Sequence, residues 1–247
     1  MKKIIPVVAI ACMLLSSCLK DLALDDISFP EYPIPEGFQI RDTILVDASR
    51  DGGVWWYPQS GSFNPSIDHQ GTALVNYLGS LGYIVEELPR GAIITREKLR
   101  RFDLVIRAGH YGAYTSEEIA AYQEFLNRKT ALLLVSEHSA QLQDDQLAAY
   151  LGLSFEGSYT TDITQFNAHS ITQGVTAHRF IAGSVIRNPD PNKIITLGYF
   201  SDATITNAAA MGIVKHPSSR IFFIGDLNGL ESVPQPLTNN VFKWLKQ

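Results

Sequence analysis

The sequence predicts an α/β fold: a mostly parallel sheet sandwiched between helices in three layers, with a β-rich elaboration in its C-terminal half. Three observations carry this. Strand-like runs at residues 43–46, 83–88 and 104–106 alternate with helical stripes as far as residue 151, the mark of βαβ units. Leu132-Leu133-Leu134-Val135 and Ile221-Phe222-Phe223-Ile224 are continuous apolar runs rather than alternating ones, as in strands buried on both faces. Residues 154–220 then turn rich in Thr, Ser, Gly and Asn, with short runs at 194–197 and 211–214 that read as hairpins at a sheet edge. The 247 residues suit one large domain, and 45% hydrophobic against 18% charged supplies an ordinary core.

The N-terminus has to be set apart from the fold. Lys2-Lys3 precede an apolar run, residues 4–15, that is shorter than the roughly 20 residues a spanning helix needs. Leu15-Ser16-Ser17-Cys18 resembles a bacterial lipobox. The expected division is a signal peptide at 1–17, lipidated Cys18 with an extended, proline-punctuated tether to residue 40, and one domain over 41–247. Acyl chains on Cys18 make the membrane a partner, since each buried methylene adds about 0.8 kcal/mol. Leu19 after the cysteine, rather than Asp, points to the outer membrane, on either its periplasmic or its surface face. Cleavage after Ser17 removes Cys12, so Cys18 becomes the only mature cysteine, leaving no thiol nucleophile and no disulfide. A net charge of -5 and the lack of any long Lys/Arg cluster argue against nucleic acid.

Within the domain, strand 43–46 ends at Asp47 and opens a long loop holding Arg50, Gly52-Gly53 and Trp55-Trp56-Tyr57. A helix starting near residues 66–68 places Leu74, Tyr77, Leu78 and Leu81 on one face and stops at Gly82. A short helix at 96–101 leads to strand 104–106. Thr115-Ser116-Glu117-Glu118 then forms a capping box for a helix burying Ile119, Tyr122, Phe125 and Leu126. Residues 144–151 are helical with Leu147, Tyr150 and Leu151 inward. A final helix from about Thr238 buries Val241, Trp244 and Leu245.

Ligands of open α/β sheets bind beyond the carboxyl ends of the strands, so the candidate residues are those that follow each run. After the central strand come Ser136, Glu137 and His138. Ser136 is a nucleophile or a helix cap, and it lacks the flanking glycines of a tight elbow. Glu137 and His138 line a pocket or form a hydrogen-bonded pair that fixes the turn. Arg107 and His110 end the neighbouring strand. Arg107 there holds a carboxylate or phosphate bidentately, or forms a salt bridge to an acid such as Asp47. Asp68 reads as a helix cap beside His69, and Asp226 as a crevice carboxylate or a turn former. No metal or cofactor is expected, because the six histidines include no His-x-His or His-x-x-x-His spacing. Adjacent Trp55, Trp56 and Tyr57 cannot all enter one core, which suggests a binding loop for sugar or protein, or a cover for the sheet edge.

Three segments together resemble the class I glutamine amidotransferase-like superfamily, in its trehalose-utilisation-like branch. These are Arg101-Phe102-Asp103-Leu104-Val105-Ile106 leading to Gly109, Val135-Ser136-Glu137-His138-Ser139-Ala140, and His169-Ser170-Ile171-Thr172-Gln173-Gly174-Val175. The second is similar to the branch's nucleophile elbow, where histidine replaces cysteine. The third is similar to a His-Pro-Ile-Thr-x-Gly segment, with Ser170 in place of proline. The resemblance covers residues 42–247 and implies a flavodoxin-like three-layer sandwich. It also implies no glutaminase activity, since the cysteine that a histidine would activate is missing. The expected function is therefore a lipid-anchored, non-catalytic module that binds a glycan or an envelope protein. The alternative is an enzyme acting on a carbohydrate or related metabolite. In it Glu137 or His138 is the base, Ser136 lies beside them, and Arg107, His110, Asp47, His69, Trp55 and Trp56 form the ligand surface.

Overall fold

A computed structural model defines residues 43–51, 71–107, 109–137, 145–230 and 235–247. Cys18, Trp55, Trp56, Tyr57, Asp68, His69 and His138 lie outside the described residues. The elements run β1 (Thr43–Asp47), α1 (Thr72–Ser80), β2 (Ile84–Leu88), α2 (Arg96–Leu99), β3 (Leu104–Arg107), α3 (Ser116–Leu126), β4 (Ala131–Val135) and α4 (Gln146–Tyr150). The second half contributes β5 (Glu156–Ile163), β6 (Gln165–Phe166), β7 (His178–Val185), β8 (Ile194–Phe200), β9 (Ala208–Val214), β10 (Arg220–Ile224) and α5 (Pro236–Lys246). Eight strands form one sheet in the order β2-β1-β3-β4-β10-β9-β8-β6, and β5 and β7 form a separate antiparallel ribbon. Pairings from β2 to β10 are parallel, and those from β10 outward are antiparallel. The parallel part, β2-β1-β3-β4-β10, has the doubly wound flavodoxin-like order, with its switch point between β1 and β3.

Side-chain alternation explains why a continuous apolar run is required in the middle of this sheet. Leu133 and Phe222 join the core under α1 and α5, with Leu74, Leu78, Val241 and Leu245. Leu132, Leu134 and Phe223 enter the opposite core, with Tyr122, Phe125 and Leu147 from α3 and α4. All five residues of β4 are fully buried, so a leucine truncated there would leave a cavity costing about 2–5 kcal/mol. The capping box of α3 forms as the sequence predicts: the Glu118 N–H donates to Thr115 Oγ1 (3.2 Å), and the Thr115 N–H donates to Glu118 Oε2 (2.8 Å). Val241, Trp244 and Leu245 are the inward face of α5, and Pro236 in its first turn needs no hydrogen-bond partner for a missing N–H.

Some expectations are corrected. Leu81 does not extend the buried stripe of α1. The helix ends at Ser80, the chain turns through Gly82 (φ +90°), and Leu81 is 52% exposed. Tyr150 points outward from α4, since that helix spans only Gln146–Tyr150 and buries Leu147 and Ala148. The elaboration does add β9, β8 and β6 at the sheet edge, but β5 and β7 leave the sheet and form a ribbon of their own.

The ribbon docks on the carboxyl end of β10. The Ser184 N–H donates to Gly225 O (2.6 Å), and the Ile181 N–H donates to Asp226 Oδ2 (2.6 Å). Gly225 is obligatory for this approach, because a Cβ there would sit 2.0 Å from Ser184 O. A bulged register between β5 and β7 puts Ala182 at φ +61°, a conformation a non-glycine residue rarely takes.

The His169–Gln173 segment also proves structural. Residues Ser170–Thr172 form a 3-10 turn capped by His169, whose Nδ1 accepts from the Ile171 N–H (3.1 Å) and whose ring meets Trp244 edge-on at 6.3 Å. Asn240 Nδ2 donates to Ile171 O and Gln173 O. The segment therefore anchors α5 to the body of the domain.

Candidate functional site

The strands β1, β3, β4 and β10 end side by side, which brings Asp47, Arg107, Ser136, Glu137 and Asp226 to one end of the sheet. All five are buried, as is His110. What separates them is how far each has been committed to an internal partner.

Asp47 is held by the fold. Its Oδ1 accepts from the Ser49 N–H (2.9 Å), and its Oδ2 accepts from the hydroxyls of Tyr114 (2.8 Å) and Tyr122 (2.5 Å). Burial, and then the negative charge of Asp47, push both phenols well above their ordinary value, so they stay protonated donors. The salt bridge foreseen between Arg107 and Asp47 does not form. Arg107 Nη1 pairs instead with Asp145 Oδ2 at 2.7 Å, at the N-terminus of α4, where Asp145 also caps the helix through Ala148 N–H (2.9 Å). Burial works against the charge on both partners. The Asp145 carboxylate, with Tyr114 and Tyr122, outweighs it and raises Arg107, while Arg107 and then His110 hold Asp145 below the usual carboxylate range. The guanidinium is completely buried, and its Nε and Nη2 find no hydrogen-bond partner among the described residues.

His110 stacks on Tyr114 with ring centroids 5.3 Å apart, so it joins the same cluster rather than facing open solvent. Ser136 Oγ is buried and has no hydrogen-bond partner among the described residues, while the Ser136 N–H continues the ladder to Ile224 O (2.9 Å). Glu137 is 5% exposed and, after burial itself, contributes to pushing the Tyr111 phenol upward. Asp226 accepts from the Ile181 N–H through Oδ2 and from the Asn228 N–H through Oδ1 (2.8 Å), so the ribbon and the following turn use both of its oxygens.

Residues the sequence reading passed over complete the cluster. Arg50 donates from Nε to Ala113 O (2.8 Å), pairs through Nη2 with Glu118 Oε2 (2.6 Å) and lies over the Tyr114 ring at 5.0 Å. Glu118 also accepts from the Ile94 N–H (3.0 Å), so the capping residue of α3 ties three loops together. Tyr122 was legible only as a core position, because periodicity reports its ring and not its hydroxyl. Beside the cluster, an open depression of about 360 Å³ is lined by Ser49, Arg50, Asp51, Arg90, Gly91 and Tyr111, among others. Its place next to the β1/β3 switch point is where this sheet class binds ligands. Among the described residues, no group of three or more His, Cys, Asp or Glu could hold a metal, and no helix is long and apolar enough to cross a membrane.

No family model matches the chain, and no curated protein matches it. Solved structures do. The mmIFT52 N-terminal domain superposes with a TM-score of 0.60 at 15% identity, over 82% of this chain and 96% of that one. A cytoplasmic protein from Salmonella typhimurium does so with a TM-score of 0.56 at 11% identity, over 83% and 99%. A ThuA-like protein from Bacteroides uniformis gives a TM-score of 0.50 at 12% identity, over 87% and 95%. At such identities the likeness is one of fold. It agrees with the flavodoxin-like α/β architecture expected from the sequence.

Proposed function

We propose that this chain is a lipid-anchored protein of the bacterial envelope whose α/β domain binds a glycan or protein partner and performs no chemistry at its strand ends. One observation carries the reading: three of the charged strand-end side chains are already engaged by the protein itself. Asp47 serves two tyrosines, Arg107 serves Asp145, and Asp226 serves the ribbon. A general acid or base must come within about 2.6–3.2 Å of the proton it moves, and these side chains have almost no access to solvent. The absence of a mature cysteine supports the same reading, and the lipobox at residues 15–18 supports anchoring through Cys18 to the outer membrane. The Trp55-Trp56 loop remains the sequence feature best suited to contact a partner.

Two experiments test this. Labelling with a clickable fatty acid should mark the wild-type protein and fail in Cys18→Ser. Pull-downs from envelope extracts should lose their specific partners in Trp55→Ala/Trp56→Ala, and an unchanged partner set would sink the loop's role.

A second reading keeps the protein an enzyme acting on a carbohydrate or related metabolite, with Glu137 or His138 as base. The two unengaged donors of buried Arg107 favour it, since a substrate carboxylate or phosphate would satisfy them. On this reading Glu137→Gln and His138→Ala each lower turnover by about 10²–10⁴-fold. Turnover indifferent to both excludes it.

A further inference from the structure

A second polar region lies far along the sheet, where β6 pairs with β8 at the outer edge. It is an open groove of about 910 Å³, within the size range of ligand sites. Its walls come from three stretches of chain: residues 165–167; residues 188, 189, 191, 194–196 and 199; and residues 206–207. Among the described residues that line it there is no Asp, Glu, Lys, Arg or His. In a chain that is 18% charged, a roomy surface groove whose described lining carries no formal charge is a chemical statement about what it takes.

The lining has two components. Phe166 and Tyr199 are half-buried: Phe166 packs against the core, and both present part of a ring to the groove. Around them stand Asn167, Asn188, Asn207 and Thr206, all exposed, whose amides and hydroxyl offer donors and acceptors in equal measure. These groups are pre-set. Asn167 Nδ2 donates to Thr196 O (2.8 Å) and to Tyr199 Oη (2.6 Å), which spends both of its hydrogens. Its Oδ1 is thus aimed away as an acceptor, and the Tyr199 hydroxyl, already accepting, has its own hydrogen to donate outward. Asn188 and Asn207 sit at φ +48° and +55°, the left-handed conformation that Asn tolerates better than most residues.

We propose that this groove binds a neutral oligosaccharide. Aromatic faces receive the apolar faces of pyranose rings, and amides and hydroxyls pair with vicinal hydroxyls. An uncharged lining leaves no ionised group to be stripped of water when an uncharged ligand settles in. Among the described lining residues an anionic glycan or a nucleotide meets no cationic side chain and a basic peptide no carboxylate, and the adjacent Lys215 is engaged by Pro191 O (2.8 Å). The site shares no described residue with the strand-end cluster.

The test is calorimetric titration of the full chain with neutral gluco-, manno- and xylo-oligosaccharides, with oligogalacturonides as the charged control. At least one neutral series should bind and the oligogalacturonides should not. Tyr199→Ala should weaken that binding at least tenfold and Tyr199→Phe less. Thr206→Arg, an exposed rim change that adds bulk and charge without touching the core, should abolish it even if Tyr199→Ala fails to fold. Trp55→Ala/Trp56→Ala should leave it intact, which separates this site from the one proposed above. The proposal is overturned if no neutral oligosaccharide binds at millimolar concentration. It is equally overturned if oligogalacturonides bind as well as neutral ones, or if binding survives Thr206→Arg.

Discussion

The strand-end cluster and the edge groove are both polar, yet they are built on opposite principles. The cluster gathers Asp47, Arg107, Asp145 and Glu118, buries them and satisfies most of their hydrogen-bonding capacity internally. The groove gathers uncharged amides, a hydroxyl and two aromatic faces, and leaves them half-open to solvent. Reactive residue types therefore mark where this fold is held together, and bland ones mark where it is open to a ligand. Removing one member of the first set exposes a buried cost, whereas a change in the second alters only what can dock.

That difference can be broken most forcefully at the buried ion pair. Arg107→Met takes from the largely buried Asp145 carboxylate its cation, leaving only the helix cap, and should destabilise the domain by about 3 kcal/mol in urea melts. Arg107→Met combined with Asp145→Leu should recover most of it, and a double variant no better than the single would show that the pair is not the source. Next in size is Gly225→Ala. A methyl placed against Ser184 O must push the ribbon off β10, at about 1–3 kcal/mol. Hydrogen exchange at the Ile181 and Ser184 amides should then quicken while that of β4 holds.

A third test uses acid. Burial lowers the His178 pKa to about 4, beneath the ordinary 6.5. The unfolded chain thus takes up its proton first as pH falls, so stability is full above about pH 6.5 and is lost progressively down to about pH 4. Between pH 7 and pH 5 this amounts to about 2 kcal/mol, which His178→Phe should remove from the pH dependence. The smallest effect is expected at the groove, where Thr206→Arg should change stability by less than about 0.5 kcal/mol. A large loss there would erase the contrast.

The parts of the fold visible in the sequence are those whose side chains repeat with the period of their element. The apolar run of β4, the capping box at Thr115 and the stripe of α5 each carry their own signal. The ribbon carries none. Glu-Gly-Ser-Tyr-Thr-Thr-Asp-Ile lacks an apolar face, and its docking depends on backbone contacts at Gly225 that no hydropathy pattern records. For the site, the sequence located the strand ends and a salt bridge for Arg107, but not its partner, because Asp145 reaches it from the N-cap of α4, 38 residues on. The groove was illegible for a further reason: its residues are individually unremarkable and come from three stretches joined only by the fold.

The position of β10 has a consequence for how the molecule comes into being. The last strand of the chain lies in the middle of the sheet, between β4 and β9, and α5 follows it. Without residues 220–224 the parallel strands up to β4 and the antiparallel strands from β9 share no ladder. Assembly of the sheet is therefore a late, long-range event, with the slow closure that distant pairings impose. In that sense β10 is the keystone of the sheet, the one strand that both halves hold in place.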